Sequence, residues 1–583
     1  MAEPVNGGAP NQPPKEMSME IRLLLAFILM GVVMFLTPYL FKSNTPPAPK
    51  KEAAKTAETT AAPAAAAAAA PAAHDAAKPA AAETAAATGP ANSPATAQQV
   101  LPVLTIVTNK YKVAFSNQGA NVRSWQLKGY KGNDEKPLEL TNTAVTTDFP
   151  FSLYFPSQKP TSNVNWSFYD QKVDPDGLGV AYDFSDGHTV VHKQFRFEKN
   201  SYLVQVSSSV AIDGKPVENL IEWRGGFGDL TVPSPASTQR TLYFSVPENK
   251  LVELHASAAK NGPATAKGDF SFAGVADTYF AAVFLPTTGG NQMEQVTFSD
   301  NVHTVLDEKP VALSGVALSN GPSNHFELFI GPKDLDLLKK VNPKLEQVVD
   351  FGWLGFLAKP LFLIVNWIND TFVHNFGWAI VLVTIIINMI LFPLKLSNMK
   401  SMRKMQALKP QIDVINAKYK DVGLRDARKA DQNQEVMDLY KKYGVNPMGG
   451  CVPMLLQVPF FFAFYRVFTV SVEMRGASWL WVSDLSQPEH FVIKVLPIVM
   501  IASQFFMQKM TPQPNQDPGQ AKMMMLMPVI FGVMFYNFPS GLVLYYLTSN
   551  LVNMGQQVFF NHTEAAQEAA RSVEPPKKKN GRK

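Results

Sequence analysis

Apolar residues in this chain fall into blocks of different period. Ile21 to Phe41 is a continuous apolar run of about 20 residues, long enough to cross the ~30 Å hydrocarbon core of a bilayer. It ends in Thr37-Pro38-Tyr39-Leu40-Phe41, not in the small residues of a cleavage site, which predicts an uncleaved signal anchor over 21–41. Residues 1–20 before it are polar. Residues 42–99 are rich in Ala and Pro, and the repeated Pro predicts a loose tether. From 100 to 345 the period falls to two. "VLTIVTNKYKVAFSNQG" and "HTVVHKQFRFEKNSYLVQVSSSVAI" alternate or cluster β-branched and aromatic residues, punctuated by turns such as Asp213-Gly214 and Gly132-Asn133-Asp134. Many strands with little helical periodicity predict one large β-sandwich over 100–345.

Beyond residue 350 the period becomes helical. Residues 350–374 place Asn366, Asn369 and Asp370 on one stripe and Leu361, Ile364, Ile368 and Phe372 on another, with Trp353 and Trp367 as interface-loving residues and Pro360 suited to a helix start. Apolar runs then follow at Gly377–Leu394, Gly449–Val470, Phe491–Gln508, Met523–Tyr536 and Ser540–Phe559. They predict a five-span core over 377–560. Within it, 395–446 reads as a helical hairpin: Met402, Met405, Leu408, Ile412, Ile415 and Tyr419 recur at helical spacing, Gly423 marks a turn, and Val436, Leu439, Tyr440 and Tyr443 form the return face. The methionines suit a surface that meets varied apolar partners; mutual packing of the two arms is the plainer reading.

Charge orients these elements. The net charge of +5 is too small to imply nucleic acid, but its placement is informative. The 395–446 segment is dense in Lys and Arg, the loop Ser471 to His490 is poor in them, and the tail 561–583 carries Arg571, Lys577, Lys578, Lys579, Arg582 and Lys583. By the positive-inside rule the hairpin, the tail and residues 1–20 are cytoplasmic. The anchor puts the β-domain outside. Residues 350–374 must then lie flat in the interface, because a further crossing would put the β-domain and the hairpin in one compartment. The fold class is thus a polytopic α-helical membrane protein with a large external β-sandwich.

Candidate chemistry is sparse. A single cysteine, Cys451, rules out an internal disulfide and a Cys-based zinc site. There is no phosphate-binding loop, no HExxH and no nucleophile elbow, and His188 and His192 on one strand lack a third ligand, so no metal or cofactor is expected. The spans do carry uncharged polar faces: Thr384 and Asn388 with Lys395 below them, Gln457, Gln504 and Gln508, and the stripe Tyr545, Tyr546, Ser549, Asn553 and Gln556. Such residues serve as interhelical glue or line a wet cleft. The absence of Asp and Glu at mid-membrane argues against an ion-coupled pump.

"NPMGGCVPMLLQVPFFFAFY", "FPSGLVLYYLTSNL", "LMPVIF", "VDFGWLGFLAKPLF" and "GVADTYFAA" together resemble the YidC membrane-protein insertases of Gram-negative bacteria, within the Oxa/Alb superfamily. The resemblance covers nearly the whole chain, in the same order of elements. It implies a hydrophilic groove, open to cytoplasm and lipid, that takes the polar end of a substrate part-way into the bilayer without nucleotide or cofactor. Matching groove positions are Thr384, Gln457, Tyr545 and Tyr546. The family typically has Arg where this chain has Asn388, and commonly an aromatic where it has Asn537. Arg466 is no substitute: Asn388 lies roughly 10 Å from the cytoplasmic end of its span and Arg466 roughly 25 Å. Arg466 is expected to snorkel outward or pair with Glu473, leaving a groove that works by hydration and not by a fixed charge. The resemblance also implies a monomer whose partners are nascent membrane proteins, the Sec translocon, ribosomes and anionic lipids. The alternatives are a channel or transporter, or a tethered carbohydrate-binding protein using Asp229, Asp277 and His188.

Overall fold

A computed structural model describes residues 100–142, 149–232, 235–287, 292–303, 310–420, 428–445, 452–511, 518–563 and 568. The expected anchor 21–41, its flanking segments 1–20 and 42–99, the Gly423 turn, Asn446 to Cys451 and the basic residues of the tail lie outside them.

The period-two region folds as expected. A four-stranded antiparallel sheet runs Leu104–Val107, Tyr111–Ser116, Asn121–Lys131 and Pro137–Glu139. The remaining strands form two faces joined by one long strand, Ala264–Ala276. Its first half pairs with Gln292–Val302, and its second half pairs with Arg240–Ser245 and Phe280–Pro286. Thr189–Phe197 shows why the pattern works: every second residue is buried and the others face outward. The trapped layer is aromatic, with Trp125, Phe151, Phe195 and Trp223 in mutual ring contact.

One inward position in that strand breaks the rule. Lys193 is fully buried, and its ammonium donates to the carbonyls of Gly119 (2.8 Å), Phe151 (2.8 Å) and Ala120 (3.3 Å). Burial pushes it down to about 7. Lys333 repeats the device at the far end of the sandwich, donating to Asp277 O (2.9 Å) and Val348 O (3.3 Å). Both lysines tie irregular backbone that would otherwise leave carbonyls unpaired.

The sandwich hands over to the helices without a gap. Helix α1 (Leu335–Val341) is capped by Asp334, which accepts from Leu337 N at 2.8 Å. A 3₁₀ turn (Pro343–Val348) leads to α2 (Gly355–Ile368). Leu242, Phe244 and Phe329 of the sandwich belong to the same buried cluster as α1, α2 and the core helices.

Helix α2 starts at Gly355, so Pro360 sits more than a turn inside it and not at its start. Its buried face is Ala358, Leu361, Phe362, Val365 and Ile368. Ile364 and Phe372, expected on the same stripe as Leu361 and Ile368, are exposed instead, alongside Trp353, Phe356, Leu363 and Trp367. The helix therefore has two apolar faces, one taken by protein. A π turn (Asn369–Val373) and left-handed His374 (φ 49°) then redirect the chain. Helix α3 (Phe376–Ile390) departs at 115° from the preceding segment, capped by Asn375. Among the described residues no single helix is long and apolar enough to cross a membrane; the bent pair passes only together, and three later helices contain shorter apolar stretches, Gln457–Val470, Val495–Met510 and Met525–Phe535. These helices span Val452–Val470 (α7), Val495–Met510 (α8) and Pro518–Phe535 (α9).

Among the described residues the hairpin has three helices: α4 (Phe392–Ala407), α5 (Lys409–Lys418) and α6 (Arg428–Lys442), with Pro410 starting the second. Met405, Leu408 and Ile412 are buried against Tyr440 and Val445, and Met402 packs on that cluster. The four residues expected to offer a contact surface are thus the hairpin's own interior. The Lys418–Glu435 ion pair and a Gln432–Asn416 bond (2.8 Å) close its outside.

The last helix, α10 (Ser540–His562), is the hub. It packs against α3, α7, α8 and α4. Its "FPSG" entry is a docking device: Ser540 N and Oγ donate to Gln487 O, and Gly541 N to Leu485 O, each at 2.8 Å. These bonds satisfy amides that have no partner within the helix. A Cβ on Gly541 would stand 2.8 Å from the Phe468 ring and 3.1 Å from Leu485 O, so only glycine permits this approach.

Candidate functional site

The core helices bury a set of polar side chains among apolar ones and turn apolar side chains outward. On α3 the buried side includes Thr384 and Asn388, while Trp378, Leu382, Ile386, Met389 and Ile390 face out. An apolar outer face suits surroundings of lipid. The buried polar groups meet on three sides of α10.

On the first side, Thr384 Oγ1 donates back to Ile380 O (2.7 Å), and Asn388 Nδ2 donates to Thr384 O (2.8 Å). The Asn388 amide is thereby pinned with its oxygen turned toward α10. Gln556 Nε2 donates to Asn388 O (3.1 Å), and Ser549 Oγ reaches Asn388 Oδ1 at 3.4 Å. Lys395 enters here. Its ammonium donates to Asn388 Oδ1 (2.5 Å) and Asn553 Oδ1 (2.6 Å), joining α4 to α3 and α10. The lysine seven residues on thus brings a cationic side chain into contact with Asn388.

On the second side Asn550 Nδ2 donates to Ser503 Oγ of α8 at 3.0 Å. One residue on, Gln504 carries a buried side-chain oxygen without a partner, as does Gln556. Gln508 lies a turn further along α8, part-exposed. On the third side Gln457 of α7 hydrogen-bonds the Tyr545 hydroxyl, and the Tyr545 ring stacks on Phe464 at 4.3 Å. Tyr546 points to α9, 5.0 Å from Phe535.

The nine residues singled out from sequence divide. Thr384, Asn388, Tyr545 and Ser549 are buried between helices, whereas Gln457, Gln504, Gln508, Tyr546 and Asn553 are part-exposed. Lys395, Asn550 and Ser503 belong with them. The i, i+7 spacing of Asn388 and Lys395 put both on one face; the Asn550–Ser503 bond had no comparable signal.

Arg466 neither snorkels nor meets Glu473. Its guanidinium binds Asp350, accepting neighbours being Oδ2 (2.6 Å) and the backbone O (2.8 Å). The Arg466 charge is committed to the base of α2. In the β-domain, His188 and His192 pair with different aspartates, Asp213 and Asp183. Among the described residues no group of three His, Cys, Asp or Glu could hold a metal ion. Asp229 and Asp277 do come together, but both are buried and tied: Asp229 by Arg475, Asp277 by amides of Asp229, Tyr279 and Phe280. His188 is exposed elsewhere, so the three do not assemble into a sugar site.

Two family models match this architecture in tandem. That of the YidC periplasmic domain covers residues 103–364, and that of the 60Kd inner membrane protein covers residues 367–568. A membrane protein insertase YidC from Geotalea daltonii is 33% identical over 484 residues, 79% of this chain and 86% of the relative. The chain belongs to the YidC insertase family. A second YidC, from Geobacter sp. strain M21, is 34% identical over 481 residues, covering 79% of this chain and 85% of its own length. A crystal structure of an active YidC insertase with its first transmembrane domain resolved is 22% identical, covers 80% of this chain and 96% of that chain, and superposes with a TM-score of 0.35. YidC proteins are inner-membrane insertases with a periplasmic domain, and not catalytic enzymes. The channel and carbohydrate-binding alternatives find no support in these comparisons.

Proposed function

We propose that this chain inserts membrane proteins and helps them fold, and that the polar seam around α10 receives the translocated end of the substrate. The observation that carries this reading is the convergence of Asn388, Lys395, Gln457 and Ser503 on one helix. Burying the substrate's apolar segment in lipid supplies the drive, at about 25 cal/mol per Å². The seam lowers the barrier for the polar end, which would otherwise cost several kcal/mol per unpaired group. Gln457, Gln508, Tyr546 and Asn553 line the part-exposed path, with Thr384, Asn388, Tyr545 and Ser549 holding it in place.

In this reading the anchor and five core spans put both termini in the cytoplasm, α2 lies in the outer interface, and the basic hairpin and tail meet ribosomes and anionic headgroups. The chain works as a monomer, alone or beside the Sec translocon, without a cofactor. The test is purified chain in vesicles with a single-span substrate and no nucleotide. Protease protection of the translocated end is the expected result. Solute flux without substrate insertion would overturn the proposal in favour of a channel.

A further inference from the structure

One sheet edge of the β-domain is left undefended. Leu104–Val107 ends the four-stranded sheet, and among the described residues Tyr111–Ser116 is the only strand paired with it. A terminal strand offers alternate N–H and C=O groups along its free side, and folded domains blunt such edges with charge, proline or a covering group. The other strands that end a sheet among the described residues are blunted in these ways. Pro137–Glu139 opens on proline, Lys215–Pro216 holds lysine and proline, and Lys250–Leu254 holds Lys250 and Glu253. Asp170–Val173 carries Lys172, ion-paired to Asp183 at 2.9 Å. Leu153–Tyr154 is covered by a side-chain amide: Leu153 N donates to Asn165 Oδ1 (2.8 Å), and Asn165 Nδ2 donates to Leu153 O (2.9 Å). Leu104–Val107 contains neither proline nor charge, and every residue in it but Leu104 is β-branched.

The edge also has a side-chain surface. Ile106 is buried and Leu104 packs on the sandwich core, so on that face an added strand would lengthen the core. On the opposite face Val103 and Val107 are 57% and 55% exposed, with exposed Thr105 between them. A free backbone edge beside an apolar stripe captures an extended peptide by strand addition. Three occupants are available. The tether 42–99 joins the strand directly, but Ala and Pro are poor strand formers and Pro has no N–H to give. A second copy of this chain would pair edge to edge, but a strand of 4 residues offers far less than the ~1,000 Å² a stable interface needs. The third is a polypeptide that is extended because it has not yet folded.

We propose that Leu104–Val107 is a strand-addition site for extended, proline-free, β-branched stretches of the substrate's translocated part, held briefly by main-chain hydrogen bonds. This rests on the insertase reading, which supplies unfolded polypeptide to the β-domain. In the test, full-length chain in nanodiscs is titrated with a fluorescent peptide of alternating Val and Thr, and with the same peptide carrying Pro at alternate positions. The first should bind and the second should not, because a ladder needs N–H groups. Of the amides of residues 104–107, those on the free side should exchange fast without peptide and about tenfold more slowly at saturation.

Val103→Lys combined with Thr105→Lys should weaken binding about tenfold, through lost cross-strand contacts. Thermal unfolding should stay unchanged, since both side chains are exposed. Equal affinity for the two peptides, or no effect of the two lysines, would overturn the proposal. Slow exchange of all four amides without peptide would also overturn it. Protection lost on dilution would give the edge to a second copy, and protection kept on dilution would mean that the chain covers its own edge. If the unaltered chain binds the peptide but fails to insert a single-span substrate in vesicles, it is the insertase reading that fails, and the edge stands as a peptide site.

Discussion

Arg475 is where the β-domain and the helical core are most sharply coupled. It lies in the loop between α7 and α8, and its guanidinium crosses to the sandwich. There it donates to Lys131 O (2.8 Å) and to the Asp229 carboxylate, and stands 5.1 Å and 5.4 Å from the Tyr279 and Phe280 rings. The two side chains are 9% and 1% exposed, so this is a buried pair. Arg475→Ala would strand the Asp229 carboxylate in the interior. Breaking one partner of a buried pair costs about 3–5 kcal/mol. Two donors from Thr231 remain on Asp229 and soften the loss, so about 3 kcal/mol is expected. The assay is amide hydrogen exchange on the full chain in nanodiscs, following 121–131 and 220–232. Opening of the junction should become about two powers of ten more frequent, from 3 kcal/mol at 1.4 kcal/mol per decade. Adding Asp229→Asn to Arg475→Ala should recover much of the loss, because the stranded charge is gone. Exchange unchanged within threefold, or fully additive effects of the two substitutions, would refute the argument.

Other outcomes follow from the same geometry. Glu473 is pushed from 4.5 up to about 7 by burial, with Asp334, Asp336 and Asp370 adding repulsion, so its neutral form is favoured at the junction. The folded state then holds the proton more tightly than the unfolded state does. Junction stability should fall as pH rises from about 4.5 to about 7, and thermal unfolding at pH 5.5 and 7.5 should lose this difference in Glu473→Gln. Lys193 is depressed from 10.5 to about 7 by burial, so its contribution has the opposite sense and a higher window: stability rises as pH climbs from about 7 to about 10.5. Lys193→Ala should lower stability by about 2–4 kcal/mol, read from denaturant unfolding, because three carbonyls lose their donor. Gly541→Val should disturb the α10 entry, driving a side chain into Phe468 and Leu485 O at a cost of about 1–3 kcal/mol, seen as a lower melting temperature.

The sandwich and the core helices were legible in the sequence because their periods are clean. Thr189–Phe197 alternates without fault, and the five apolar runs are each matched by a helix. What was not legible were contacts made across long separations. Arg466 with Asp350 and Arg475 with Asp229 join residues 116 and 246 positions apart. No local pattern marks such pairs, and a nearby Glu473 was a misleading candidate. The α2 stripe failed for another reason. An apolar helix with two apolar faces has no polar side to reveal which face the protein takes. At the candidate site the polar positions were readable, because Gln and Asn are conspicuous in apolar runs. Their division into buried and part-exposed positions was not, since that depends on which face of α10 each neighbour takes. The methionines of the hairpin followed the plain rule that periodic apolar residues pack on each other.

The central claim is that the seam around α10, and not the apolar outside of the helices, receives the substrate. Site-specific photocrosslinking to a ribosome-stalled substrate tests it most directly. Probes at Gln457, Gln504 and Asn553 should capture the translocated end, and probes at Trp378 and Val533, which face outward, should capture little of it. Equal capture from both sets, or capture from the outward set alone, would contradict the account.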